Sequence, residues 1–293
     1  MGSHSADKLS AAGHEVLIFD RKASPWLRPD QQMLVGDILD EDLVARAVAG
    51  AEAVYNYAGL ADLNEANARP VDSVRLNILG NVNILEASRL AGVRRFIFAS
   101  SLYVYGRHGG FYRCSKQASE LYVENYWREY GLEYTILRYG SLYGPRSDPR
   151  NGIHGFVRQA LETGRIEYYG TPEALREYIH VEDAALSSVD ILAPRYANCN
   201  LVLTGQQAMK VSDLFKMIGE ILGRPIECSY LSNGRHVHYD VSPYSFQPRM
   251  GQKLSPGRVT DLGQGVLAIM EEIYRELNPD PDLEALMGAG PDY

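Results

Sequence analysis

No stretch of this 293-residue chain approaches the roughly 18 consecutive apolar residues of a membrane span, so no membrane partner is expected. Cysteine is scarce. Cys114, Cys199 and Cys228 stand far apart, odd in number and without a CxxC pair. This argues against a disulfide framework or a cysteine metal site, and for reduced thiols in a cytoplasmic setting. Positive charge is also short: 29 Lys and Arg face 37 Asp and Glu, for a net charge of −8. That withholds the basic footprint of broad nucleic-acid binding, although a local group of arginines can still hold a phosphorylated small molecule. The first residues have neither a basic region nor an apolar core, so no signal peptide is expected. What is present is ordinary for a globular enzyme, with 45% hydrophobic and 23% charged residues. No internal repeat or low-complexity block interrupts it.

Hydropathy patterning predicts alternating helices and strands. Residues 3–13 read as a helix ending at Gly13, followed by strands at 14–20 and 32–36 and a helix over 41–49. A strand at 53–59, a long helical stretch ending near Gly92, a strand at 95–101, a helix over 112–130 and a strand at 134–139 continue the rhythm. Continuous apolar strands with short links indicate a doubly wound α/β fold with a parallel sheet covered on both faces. Beyond Gly140 the pattern loosens, with helices over 155–164, 211–222 and 264–277.

The most chemical constellation is Ser101 with Tyr112-Arg113-Cys114-Ser115-Lys116. On a helix, Tyr112 and Lys116 share a face. An ammonium beside a phenol favours the phenolate, so Lys116 is expected to draw the Tyr112 pKa from about 10 toward neutrality. Ser101 closes a strand at the carboxyl edge of the sheet, where open α/β folds bind ligands. Together the three groups can take a proton from a carbinol while a nicotinamide takes the hydride. YxxxK alone is also compatible with an amphipathic helix carrying a surface lysine.

Context carries the reading further. Phe96-Ile97-Phe98-Ala99-Ser100-Ser101-Leu102-Tyr103-Val104-Tyr105-Gly106, the YxxxK of Tyr112 and Lys116, Leu137-Arg138-Tyr139-Gly140-Ser141-Leu142-Tyr143-Gly144-Pro145-Arg146 and Arg176-Glu177-Tyr178-Ile179-His180-Val181-Glu182-Asp183 occur in that order. Together they resemble the extended short-chain dehydrogenases of the NAD-dependent nucleotide-sugar epimerase/dehydratase type. The resemblance covers most of residues 2–225 and fades in the final quarter. It implies Ser101, Tyr112 and Lys116 as catalytic residues and NAD as cofactor. It also implies cofactor contacts from Gly2, Asp20, Arg21, Asp37, Ile38, Tyr57, Ala58, Gly59, Asn77, Lys116 and Tyr139. Asp20 suits a ribose diol, which favours NAD, while Arg21 and Lys22 keep NADP open; a strand-end turn is the plainer role for Asp20. Small Ala58 and Gly59 suit close approach of a pyrophosphate. Asn77 corresponds to an asparagine supporting the active-site strand, with a solvated surface residue as the alternative. For substrate, the resemblance implies Ser141, Arg176 and, on a looser match, Arg235. Arg176 is the diphosphate grip, against the plainer reading of a surface arginine. Asp183 is expected to fix a helix start.

Three departures from that family shape the expectations. Gly2-Ser3-His4-Ser5-Ala6-Asp7-Lys8-Leu9 looks like the end of its glycine-rich opening, of which only the third glycine is present. An affinity-tag remnant also begins this way, but the match runs on to Asp20, so a missing first strand is expected, with two sheet edges left exposed. Only ten residues separate Ser101 from Tyr112, which suggests an open site; His108 in this link is either an extra acid or base or a surface histidine. Finally, Ser100-Ser101-Leu102-Tyr103-Val104-Tyr105 lacks the acidic pair that sugar 4,6-dehydratases use for elimination, and Ser141 replaces an asparagine.

The expectation is therefore a Rossmann-like doubly wound parallel sheet, its first strand missing, with a smaller C-terminal substrate-binding part. Residues 1–140 form the NAD-binding domain, to which 177–195 return; 141–176 and 196–277 bind substrate, and 278–293 are a peripheral tail. The expected activity is an NAD-dependent epimerase acting on a nucleotide-diphosphate sugar by transient C4 oxidation. An NAD(P)-dependent nucleotide-sugar reductase or dehydrogenase, and a non-catalytic nucleotide-binding homologue without the glycine loop, are the alternatives. A homodimer is expected from the resemblance.

Overall fold

The computed structural model describes residues 1–147, 149–206, 208–231, 238–241 and 243, all within the unit Met1–Gln247. In chain order, α1 (Gly2–Ala11) leads into β1 (Val16–Asp20) and β2 (Gln31–Val35), then α2 (Glu41–Val48) and β3 (Ala53–Asn56). Next come α3 (Leu63–Ala68), α4 (Pro70–Ser73), a π-helical segment at Val74–Leu79 and α5 (Gly80–Leu90). They are followed by β4 (Arg95–Ser101), α6 (Gly110–Tyr130), β5 (Glu133–Tyr139), β6 (Ser141–Tyr143) and α7 (Gly152–Thr163). The described remainder holds β7 (Arg165–Tyr169), β8 (Leu175–His180), α8 (Val181–Asp190), β9 (Cys199–Leu203), β10 (Ala208–Lys210), α9 (Val211–Leu222) and β11 (Glu227–Leu231). The helix expected at 264–277 and the tail from 278 lie outside the described residues.

The central sheet is parallel, in the order β3-β4-β5-β9. Its middle strands are apolar almost throughout because both faces are covered. Phe96, Ile97, Phe98, Ile136 and Leu137 are all sealed from solvent. One face packs on Val44, Val48, Ile84, Leu85 and Val123 from α2, α5 and α6. Local signals set the helix starts: the Asp40 carboxylate accepts from Leu43 N at 3.0 Å at α2, and Asp62 from Glu65 N at 2.7 Å at α3. At α8 that task belongs to His180, whose Nδ1 accepts from Glu182 N at 3.3 Å, and Asp183 sits inside the first turn instead.

β1 and β2 pair in parallel as a separate two-stranded sheet, and among the described residues no strand joins them to β3. These strands are far less covered than β4: Leu17 is 44% exposed and Val35 51%. Two further small sheets, β10-β8-β6 and β11-β7, lie in the second half of the chain. The second of them shares a core with α7 and α9 built on Ile166, Tyr168, Leu214 and Phe215.

This distribution of burial predicts unequal costs of truncation. Phe96→Ala should lose about 3–5 kcal/mol in urea unfolding. Leu17→Ala should lose about 0.5 kcal/mol or less. Equal losses would show that the β1-β2 sheet is as tightly packed as the central one.

Candidate active site

Ser101 ends β4, opposite Tyr139 of β5, and its Oγ accepts from Tyr103 N at 3.4 Å to start a 3-10 turn at Leu102–Tyr105. Tyr112 is the third residue of α6, and Lys116 lies one turn further on. The sheet end and the helix start meet at these side chains. Lys116 Nζ donates to Ala99 O at 2.7 Å and sits 4.7 Å from the centre of the Phe98 ring and 5.9 Å from that of Tyr112. Ser101 stands beside the Tyr112 phenol, close enough to favour its ionised form. The structure thus brings together the three residues singled out for proton chemistry.

Their charge states differ from the expectation. Burial pushes Tyr112 up to about 12, partly offset by the neighbouring Ser101 hydroxyl. Burial also pulls Lys116 down to about 8, against the opposing influence of Glu120. Desolvation disfavours the charged form of each, and in a site this dry it outweighs their mutual attraction. The phenol is therefore not drawn toward neutrality in this structure.

The turn after β3 supplies an open stretch of backbone. Gly59 has φ 145°, and a Cβ there would lie 2.6 Å from Asn77 Oδ1. Asn77 is buried in the π-helical segment, which rules out a solvated residue. Its Oδ1 accepts from Leu60 N at 2.6 Å, and its Nδ2 donates to Leu60 O at 3.0 Å and Ser115 Oγ at 2.8 Å. It ties the Ala58-Gly59 turn to the residue before Lys116, so its support reaches the catalytic helix. A π-helical insertion at such a point is a common functional irregularity.

Gly2 opens α1, where backbone amides favour an anion, and the Tyr57 ring lies beside it. The Tyr57 hydroxyl is 2.9 Å from Ser5 Oγ and 3.1 Å from Ser188 Oγ. Asp20 and Arg21 are exposed at the end of β1, with Asp20 Oδ1 accepting from Lys22 N at 3.0 Å. Asp37 Oδ1 accepts from Leu39 N at 2.9 Å, while the Ile38 side chain packs against Gly80 of α5. Tyr139 is buried at the end of β5 next to Tyr57. A turn opened by Gly59, an exposed carboxylate at a strand end and a lysine at the sheet edge suit a dinucleotide.

On the substrate side, Ser141 opens β6 and is half-buried. Arg176, on β8, is only 7% exposed, which excludes a surface arginine. Its Nη1 donates to Leu175 O at 3.0 Å and its Nη2 to the Tyr168 hydroxyl at 3.2 Å, while the Tyr239 ring stacks on the guanidinium at 4.7 Å. No carboxylate pairs with it among the described residues, so its charge is available to an anion. Arg235 lies outside the described residues.

The short link before Tyr112 does not leave the site open. Gly109, at φ 93°, lets the Tyr103 ring lie against it, where a Cβ would come within 2.8 Å. Tyr103 meets Tyr112 edge-on at 6.2 Å and Tyr239 at 4.9 Å, and its hydroxyl shares a hydrogen bond with His238 Nδ1 at 2.6 Å. Tyr112 is consequently only 9% exposed. Burial and the nearby Arg176 charge push His238 down to about 4, so it is neutral near pH 7. Tyr103, His238 and Tyr239 were not legible as site residues; the position of Tyr103 two residues after Ser101 was the signal available.

A parallel sheet whose carboxyl edge meets a helix bearing a tyrosine and lysine, beside a turn at a glycine, defines a Rossmann-like dinucleotide-binding protein. The chain belongs to the NAD dependent epimerase/dehydratase family, whose model matches residues 1–195, and the cofactor of that family is NAD. It is 32% identical to the dTDP-glucose 4,6-dehydratase of Streptomyces antibioticus over 199 residues, 64% of this chain and 57% of that protein. The UDP-glucose 4-epimerase of Thermotoga maritima, solved with UDP-glucose, superposes with a TM-score of 0.75 at 26% identity, covering 94% of this chain and 96% of the other. The UDP-glucose 4-epimerase of Thermus thermophilus, solved with NAD, gives 0.75 at 25% identity, covering 86% and 91%.

The buried lysine makes stability depend on pH. Folded Lys116 loses its proton near pH 8, against 10.5 when unfolded. Below pH 8 both states bind the proton and the full burial penalty applies. Between about 8 and 10.5 only the unfolded state binds it, so this group makes stability rise with pH. Lys116→Met removes the penalty. In urea unfolding its advantage over the wild type should be greatest at pH 7 and shrink by about 3 kcal/mol toward pH 10.5. A difference independent of pH would mean that Lys116 is not buried as a titrating amine.

Proposed function

We propose that the chain is an NAD-dependent epimerase acting on a nucleotide-diphosphate sugar by transient oxidation at a carbinol, usually C4. The observation that carries this reading is the convergence of Ser101, Tyr112 and Lys116 beside a turn, Leu102–Gly106, that contains no carboxylate. The proton chemistry of an oxidation is supplied for, while the acidic pair of a sugar dehydratase is missing from its usual place. Likeness to two UDP-glucose 4-epimerases supports the same reading.

NAD supplies the hydride acceptor and donor. Tyr112 takes the proton of the sugar hydroxyl, with Lys116 as the cation placed to stabilise the phenolate. Ser101 hydrogen-bonds the reacting oxygen. Gly2, Ala58 and Gly59 accommodate the pyrophosphate of the cofactor, with Asp20 at the ribose and Asn77 holding the turn in place. Arg176 receives the substrate diphosphate through its forked donors, and Ser141 lines the same side. The covering residues Tyr103, His238 and Tyr239 exclude water while the sugar is in its keto form. Residues 1–140 with 177–195 constitute the cofactor domain, and 141–176 with 196–277 the substrate-binding part. Exposed apolar side chains on α6, among them Leu121, Tyr122, Trp127 and Tyr130, and on the preceding helical stretch, Val74, Leu79 and Leu90, support a homodimer. No helix among the described residues is long and apolar enough to cross a membrane. A dehydrogenase or reductase remains the second reading, because it uses the same three groups without turnover of the keto sugar.

Proton NMR of products formed from UDP-glucose, UDP-glucuronic acid and dTDP-glucose with NAD tests this reading. An epimer with the mass of the substrate is expected, and Tyr112→Phe should lower kcat at least about 100-fold. A 4-keto-6-deoxy product would replace the epimerase reading with a dehydratase, and an accumulating keto sugar or acid with a dehydrogenase.

A further inference from the structure

Glu120 lies one turn beyond Lys116 and two beyond Tyr112, on the same face of α6. Its carboxylate is buried and shared between two strands. Oε1 accepts from Ser100 Oγ and from Arg138 Nε at 3.0 Å, and Oε2 accepts from Arg138 Nη2 at 2.7 Å. Ser100 immediately precedes Ser101 and is paired in register with Arg138 of β5. Arg138 Nη1 in turn donates to the Tyr105 hydroxyl at 2.6 Å, at the end of the turn that follows Ser101. The residue before Ser101, the turn after it and the strand beside it therefore converge on one carboxylate.

Stability alone does not account for such a pair, since buried ion pairs are commonly replaceable by apolar residues without loss. The groups around Lys116 point to a second use. Tyr112 and Glu120 come from its own helix, the Phe98 ring and Ala99 O from β4, and Arg138 of β5 reaches it through Glu120. Glu120 is the charged group that acts on Lys116 among the described residues. We propose that Glu120 is a positioning residue of the reaction, its carboxylate fixing the strand end that presents Ser101 and serving as counter-charge to the Lys116 ammonium. The inference rests on the reading of Ser101, Tyr112 and Lys116 as the reacting set.

The test is NMR titration of 13C-lysine-labelled protein, with the Lys116 signal assigned from Lys116→Arg. Glu120→Gln keeps an acceptor for Ser100 and removes the charge. Lys116 should then titrate about one pH unit or more below its wild-type midpoint. If this variant fails to fold, Glu120→Gln with Arg138→Met removes both buried charges and should show a smaller fall in the same direction, because Glu120 is the charge that acts on Lys116. An unchanged Lys116 midpoint in either folded variant overturns the proposal. With UDP-glucose and NAD, Glu120→Gln should lower kcat roughly ten- to 100-fold while KM holds; an unchanged kcat also overturns it. Absence of turnover in the wild type would count against the epimerase reading alone, because the titration reads Glu120 independently of activity.

Discussion

Keeping a lysine amine out of water at the end of a sealed parallel strand is the constraint on which this architecture turns. Lys116 is held by one carbonyl, Ala99 O, and lies over the Phe98 ring, both on a strand whose faces are already covered. A cation in such a place needs either a counter-charge or a lower pKa, and the structure uses both. Glu120 supplies the charge one turn away, and the amine titrates close to physiological pH. α6 must therefore dock with its Tyr112–Glu120 face against the ends of β4 and β5. The same docking sets Tyr112 beside Ser101.

The neighbouring segments follow from that docking. Asn77 bonds to Ser115, so the π-helical segment and the turn at Gly59 are tied to the start of α6. Gly109 and the Tyr103 ring occupy the space above Tyr112, and the stretch at His238–Tyr239 completes the cover. Inside this cover burial keeps the Tyr112 phenol neutral and brings Lys116 down to about 8. Arg176 stands in a different environment, a buried guanidinium whose partners among the described residues are a carbonyl, a phenol and an aromatic face. The structure thus separates the titratable Tyr112–Lys116 corner from the permanently cationic Arg176.

Much of this was legible in the sequence. The continuous apolar runs at 95–101 and 134–139 identify the two most buried strands, and Tyr112 and Lys116 at helical spacing fix one face of α6. In the second half of the chain, the helix expected over 211–222 coincides with α9, Val211–Leu222. The long helical stretch before Gly92 reads as one piece in sequence, whereas the structure breaks it at Arg69 and again in the π-helical segment that holds the buried Asn77. Glu120 carries no signal of its own, since an acidic residue on an amphipathic helix usually faces solvent. Its burial depends on Arg138, which the sequence shows only as part of a strand motif. The expectation of an open site fails because loop length is a poor measure of cover: an aromatic ring held by a glycine and a distant segment provide it. The expectation of a phenol drawn toward neutrality fails for a related reason, since the pairing that favours the phenolate comes with a burial that opposes it.

The central claim is that the Ser101, Tyr112 and Lys116 corner belongs to an NAD site, and calorimetric titration of NAD into the chain tests it most directly. The account predicts saturable micromolar binding, kept in Tyr112→Phe and weakened at least about tenfold in Lys116→Ala, where a loss of about 1.4 kcal/mol corresponds to that factor. Absence of NAD binding, or binding indifferent to Lys116, would contradict it.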